Sequence, residues 1–272
     1  MPSQKAELPE NVPAIEVEGL TVKFPVRGGV LGKVKDYFTA VDGVSFTLEQ
    51  GKILSVVGES GCGKSTLVKS IVGLVPMTCQ KFNLFGKPVE KNRTGADTRV
   101  CDLVQMVFQD PYSSLNPRQT IEEVLTAPLM ARSVPFEEAR ARACELLERV
   151  SLPVSAMDKF PHEFSGGQRQ RLCIARSLMV KPRILLCDEV TSALDVSVQA
   201  QILHLLNDLR HDLGLSILFI SHDMQVVRAL SDDVLVMYFG HVVERGAAND
   251  VLVNPQHEYT KKLLSCVPVI KR

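Results

Sequence analysis

No charge of one sign predominates in this chain. Its 31 Lys and Arg are balanced by 31 Asp and Glu, and no long block of either sign stands out. That argues against a protein that gains affinity by neutralising nucleic-acid phosphates. The seven cysteines never form a C-x-x-C pair. Metal-ligand and disulfide frameworks are therefore both disfavoured, and reduced cytosolic thiols fit best. The start, MPSQKAELPENVPA, lacks the basic-then-apolar order of a secretory leader. The longest apolar runs, such as LSILFI, fall far short of the roughly 20 residues a membrane span needs. Any work at a membrane is expected to go through a partner.

What is present is an ordinary soluble composition, 45% apolar and 23% charged, in 272 residues. That length buries a large core without disulfide or metal staples. Residues 1–14 read as a mobile polar tail. IEVEGLTVKF and VSFTLEQ alternate like half-exposed strands, with a Gly-bearing basic hairpin insert between them. KILSVVG, RILLCDE and SILFISHD are short apolar runs of the kind found in strands buried on both faces. LVQMVFQD reads as a further strand, Lys64 to Leu74 as a helix, DVLVMYFGHVVERG as a hairpin and EYTKKLLSC as a terminal helix. From about 115 to 161 the pattern turns helical, with Ala139, Ala143, Leu146, Leu147 and Val150 on one face. Val198, Ile202, Leu205, Leu206 and Leu209 form a second stripe, and Gly214 is placed to stop that helix. Buried strands alternating with helices imply an α/β fold with a parallel sheet. The segment 115–161 reads as an inserted helical subdomain, and 233–272 as a C-terminal hairpin and helix.

Gly58, Glu59, Ser60, Gly61, Cys62, Gly63, Lys64, Ser65 and Thr66 spell GESGCGKST, a match to the phosphate-loop pattern G-x-x-x-x-G-K-[ST]. Backbone amides must wrap a triphosphate, and glycine gives the turn geometry that side chains block. Lys64 supplies a point charge at the β- and γ-phosphates, and Ser65 a hydroxyl for Mg²⁺. ATP and Mg²⁺ are thus the expected ligands. Cys62 reads equally as a reactive thiol or as a small residue tolerated by a tight turn. Asp188 and Glu189 end a buried strand, where parallel sheets place their active groups. Asp188 is the expected metal ligand and Glu189 the expected general base. Gln109 and His222 also end strands. A polar residue there is often only a cap, but convergence on one pocket favours Gln109 at the metal or water and His222 at the γ-phosphate.

FSGGQRQRLCIARSL poses a separate question, because its helix start is built to face an anion that a lone chain, with one phosphate loop, does not have. Two such domains packed head to tail would answer it, each covering the γ-phosphate held by the other. The order of phosphate loop, Gln109, SGGQ, Asp188–Glu189, SALD and His222 resembles the nucleotide-binding domain of an ABC ATPase over nearly the whole chain. The resemblance implies a RecA-like core with an antiparallel β-subdomain and a helical subdomain. It also implies that Ser165, Gly166, Gly167 and Gln168 serve the partner's nucleotide and that Asp195 reaches across the interface. Phe24 is similar in placement to the aromatic that stacks on adenine, with Tyr37 its rival. Phe164 and Val190 depart from the commoner Leu and Pro without touching the chemistry.

QDPYSSLNPRQT, GHVVERG and NPQHEYTKKLL resemble a narrower branch, the importer ATPases for dipeptides, oligopeptides and nickel. That branch implies a second ATPase subunit, typically a different chain, two integral membrane permease subunits and, indirectly, a solute-binding protein. It also implies a peripheral place on the cytoplasmic face of the inner membrane. A helix of the membrane partner would enter the groove between core and helical subdomain near Gln109–Arg118. The rival reading is an ABC-type repair or translation factor. Such factors usually carry paired ATPase domains or long coiled-coil inserts, which these residues lack. A P-loop kinase or GTPase is disfavoured by SGGQ and by the absence of N-K-x-D.

Overall fold

The computed structural model describes residues 12–28, 33–90 and 98–265. Ten strands run in chain order as β1 (Ile15–Gly28), β2 (Lys33–Leu48), β3 (Ile53–Val57), β4 (Lys81–Leu84), β5 (Lys87–Pro88), β6 (Val104–Val107), β7 (Ile184–Asp188), β8 (Ser216–Ile220), β9 (Asp233–Tyr238) and β10 (His241–Ala247). They form two sheets. One is antiparallel, in the order β2-β1-β4-β5; the other has six strands in the order β10-β9-β3-β8-β7-β6. The five strands from β9 to β6 are parallel, and β10 closes the edge antiparallel to β9.

The short apolar runs become central strands because both of their faces are covered. On β7, Ile184 and Leu186 face one core while Leu185 and Cys187 face another; on β8, Leu218 and Ile220 oppose Ile217 and Phe219 in the same way. The first core is shared with the antiparallel sheet and the Lys64–Ile71 helix, through residues such as Val17, Val41, Phe46 and Leu67. The second is shared with the helices Ile121–Met130, Phe136–Arg149, Gly166–Leu178 and Val196–Leu213. The stripe residues Ala139, Ala143, Leu146 and Leu147 are buried, as their spacing requires. Glu137 and Glu138 in the first turn of that helix and Arg149 in its last complement the helix dipole. Gly214 ends the Val196–Leu213 helix at φ 63°, the left-handed conformation that glycine adopts without strain.

Some expectations shift. Val12 and Ala14, placed in a mobile tail, are anchored: the Ala14 N–H donates to the Leu48 carbonyl at 2.8 Å, and Gln50 Nε2 donates to the Val12 carbonyl at 2.8 Å. Residues 1–11 lie outside the described residues. The described ends of the basic insert extend β1 and β2 as the two arms of a hairpin, paired as far as Gly28 and Lys33, and residues 29–32 lie outside the described residues. The helix expected to reach Leu74 stops at Ile71, and Gly73 follows at φ 78°. Among the described residues no helix is long and apolar enough to cross a membrane.

Candidate nucleotide site

The phosphate loop runs from the end of β3 to the Lys64–Ile71 helix, and its glycines are demanded by close packing as well as by turn geometry. A Cβ on Gly58 would lie 2.2 Å from the Met237 carbonyl oxygen, and one on Gly63 would lie 2.4 Å from that of Ala40. Both glycines have positive φ. The loop is therefore pressed between β9 and β2. Lys64 is buried, and its Nζ donates to the carbonyls of Gly58 (2.7 Å) and Glu59 (2.9 Å). The amine is held inside the loop's own curve, where phosphate oxygens can replace the carbonyls as acceptors. Glu59, Ser60 and Gly61 are exposed at the rim, while Ser65 and Thr66 open the helix half-buried. The Lys64, Ser65 and Thr66 N–H groups belong to the first turn, which has no intrahelical acceptors. Cys62 is buried, and burial pushes its thiol above the ordinary value despite the neighbouring Lys64 charge. Burial and the raised thiol both favour the small packing residue over the reactive thiol.

The strand ends converge as the sequence suggested. Ser65 Oγ donates to Asp188 Oδ1 at 2.8 Å, joining the loop to the end of β7. Burial pushes the Asp188 carboxyl above its ordinary range, partly countered by the Ser65 hydroxyl and the Lys69 and Lys64 charges. A hydroxyl and a buried, incompletely compensated carboxylate make a hard-oxygen pair that fits Mg²⁺. Among the described residues no group of three or more His, Cys, Asp or Glu could hold a metal. The pair thus suits an ion that arrives with phosphate ligands of its own.

Glu189 follows at φ 47°, an unusual conformation for a non-glycine residue that costs of order 1–3 kcal/mol. Its N–H donates to the Ile220 carbonyl at 3.1 Å, and the Ser192 hydroxyl donates to the Glu189 carbonyl at 2.9 Å. These bonds hold the turn that aims the side chain. Gln109 Nε2 donates to Glu189 Oε2 at 3.0 Å and lies 3.5 Å from Ser192 Oγ. His222 Nδ1 stands 3.4 Å from the same Glu189 oxygen. Gln109 is thus brought to the expected base, and the pair at the expected metal position is Ser65 and Asp188.

Ser165 and Gln168 occupy each other. Ser165 Oγ accepts from the Gln168 N–H at 3.3 Å, and Gln168 Oε1 accepts from the Ser165 N–H at 3.0 Å, a reciprocal cap on the Gly166–Leu178 helix. The Gly166 and Gly167 amides, in the first turn, have no place in that exchange. Gly167 has a packing reason as well: a Cβ there would lie 2.4 Å from Val198 Cγ1. Asp195 caps the Val196–Leu213 helix, accepting from the Ser197 hydroxyl (2.7 Å) and the Val198 N–H (3.0 Å). Both contacts lower its carboxyl below the ordinary range. The signature helix is also tied to the segment after Gln109. The Arg169 guanidinium sits 4.1 Å above the Tyr112 ring, and Arg176 donates to the Ser114 carbonyl.

Beside Phe24 and Tyr37, the two residues expected at adenine, the β1–β2 ribbon carries a third aromatic, Phe38. Phe24 pairs directly with Phe38, and Pro25 with Tyr37. Phe24 and Tyr37 therefore project from opposite faces of the ribbon, and Phe38 shares the Phe24 face. All three are exposed. Alternation alone does not mark Phe38, because the cross-strand register depends on bulges elsewhere in the hairpin.

Residues 41–192 match the family model described as ABC transporter. The chain is 45% identical over 269 residues to the Escherichia coli (strain K12) glutathione import ATP-binding protein GsiA, covering 98% of this chain and 43% of that protein. It therefore spans less than half the length of that relative. It is also 45% identical over 263 residues to the Haemophilus influenzae dipeptide transport ATP-binding protein DppF, covering 96% of this chain and 80% of that one. Among solved structures, CbiO1 from Clostridium perfringens, part of the ABC transporter complex CbiONQ, superposes with a TM-score of 0.77 at 27% identity, covering 94% of this chain and 96% of that chain. A dimeric ATP-binding cassette in a post-hydrolysis state, bound to ADP and Pi, gives 0.73 at 26% identity, covering 86% and 98%.

Proposed function

The chain belongs to the ABC transporter family, and from that premise we propose that it is an ATP-hydrolysing subunit that powers an importer of di- or oligopeptides or a related small solute. The observation that carries the proposal is the convergence on Glu189. A carboxylate held in a left-handed turn, met by Gln109 and His222, stands beside the Ser65–Asp188 pair and the phosphate loop. Loop amides and Lys64 bind the triphosphate. Ser65 and Asp188 would hold Mg²⁺, which when bound neutralises charge on the phosphates. Glu189 takes a proton from the attacking water, Gln109 orients the carboxylate, and His222 lies where a γ-phosphate contact can form.

In the same proposal Ser165, Gly166, Gly167 and Gln168, with Asp195, act across the interface on a second ATPase subunit, typically a different chain. Closure on ATP and reopening after hydrolysis drive two permease subunits served by a solute-binding protein. The chain works on the cytoplasmic face of the membrane, and nucleic acid is not a partner. The 115–161 segment acts as a helical subdomain that receives the permease. The Gly166–Leu178 helix, which shares a core with that segment, meets the residues after Gln109 through Arg169 on Tyr112 and Arg176 on Ser114. The peptide-type substrate is supported by the activities of the two relatives, glutathione import and dipeptide transport.

The test is co-purification of the tagged chain, followed by ATPase assay in proteoliposomes. Integral membrane subunits in the eluate, and stimulation by a peptide with its binding protein, are expected. Stimulation by nucleic acid without membrane subunits would instead favour a repair or translation factor.

A further inference from the structure

The phosphate loop has a contact that the site chemistry does not use. The Glu59 N–H donates to the hydroxyl of Tyr259, 200 residues away in sequence, at 3.0 Å. The other end of that Gly58–Glu59 peptide, the Gly58 carbonyl, receives Lys64 Nζ at 2.7 Å, and the Glu59 carbonyl receives it at 2.9 Å. One peptide unit is therefore gripped at one end by the C-terminal helix and at the other by the phosphate-binding lysine.

Tyr259 is built into place. Its ring is buried and lies against Tyr238, with centroids 4.1 Å apart. Its N–H donates to His257 Nδ1 at 3.1 Å. The turn before it is fixed by the Glu244 carboxylate, which accepts from the N–H groups of Gln256 (2.7 Å) and His257 (3.1 Å). The turn after the Tyr238 strand braces the loop on a second side: the Gly240 N–H donates to the Cys62 carbonyl at 3.0 Å. A buried ring held at this many points, with its hydroxyl on a loop amide, does more than fill space.

We propose that Tyr259 is a positioning residue for the phosphate loop: its hydroxyl fixes the Gly58–Glu59 peptide and, through the Gly58 carbonyl, the Lys64 amine, so the Glu258–Ser265 helix sets the affinity for nucleotide phosphates. This rests on the ATP-binding reading of the same loop. Removing the hydroxyl leaves the Glu59 N–H without its acceptor, and the loop must then lose more freedom when it closes on phosphate.

The experiment compares Tyr259→Phe with the parent full chain for MgATP affinity, KM, kcat and Tm. Lys64→Ala serves as the binding-loss control, and Lys261→Ala as a surface control on the same helix. Phe keeps the ring against Tyr238, so the fold is retained. The proposal expects Kd and KM for ATP to rise about 3- to 10-fold, the range that one lost hydrogen bond spans, with kcat changed less than twofold and Lys261→Ala indistinguishable from the parent. ATP affinity within twofold of the parent, or a fall in Tm with KM unmoved, would overturn it while leaving the ATP-binding reading intact. A parent chain that binds ATP no better than Lys64→Ala would remove both.

Discussion

Gln109 meets Glu189 and not the Ser65–Asp188 pair: its Nε2 lies 3.0 Å from Glu189 Oε2. His222 Nδ1 meets the same oxygen at 3.4 Å, so both neighbours hold the carboxylate by one end. Glu189→Gln keeps the shape of the side chain and removes its basicity. Turnover should fall about 10²- to 10⁴-fold, the usual worth of general-base help, with ATP binding retained. Phosphate release and nucleotide titration read the two quantities separately, and hydrolysis at the parental rate would take the base role away from Glu189.

Asp188 yields a prediction on stability. Its carboxyl is raised above the ordinary Asp value of 3.8, chiefly by burial. The native state therefore binds this proton more tightly than the unfolded chain, so the group costs stability as pH rises from about 3.8 through the raised value. Asp188→Asn still accepts from Ser65 and carries no charge. In EDTA it should melt higher than the parent at pH 7, with the gap closing as pH approaches 4. It should also lose Mg²⁺-dependent hydrolysis. A lower Tm at pH 7 would show that the ionised carboxylate stabilises the fold.

Gly167 separates packing from phosphate binding. An added Cβ would sit 2.4 Å from Val198 Cγ1, an overpacking that costs about 1–3 kcal/mol. Gly167→Ala should lower Tm, and Val198→Ala added to it should restore most of the loss. The backbone N–H of residue 167 survives both changes, so ATPase should recover together with Tm. Recovery of neither would place the fault outside that contact.

Much of this site was legible because its parts are local. GESGCGKST carries its own geometry, and ILLCDE and SILFISH deliver their polar ends from strands so apolar that they read as buried on both faces. The helix start at SGGQ was legible for the same reason, whereas the reciprocal Ser165–Gln168 cap was not read from it. Other parts were hidden because they depend on distant segments. Lys81–Leu84 is four residues with only Phe82 and Leu84 buried, too short for alternation to register. Phe38 matters only through a register that slips at several bulges. Tyr259 has nothing beside it in sequence to mark it, because its partner Glu59 is reached only through the packing of β9 and the C-terminal helix.

The central claim is that the Ser165–Gln168 turn completes an ATP site on another chain. The direct measurement is a structure of the Glu189→Gln protein in its membrane complex, loaded with MgATP. The account predicts the Ser165 hydroxyl and Gly167 amide within hydrogen-bond distance of the γ-phosphate on the facing ATPase subunit. A nucleotide-filled complex with that turn exposed to solvent would contradict it.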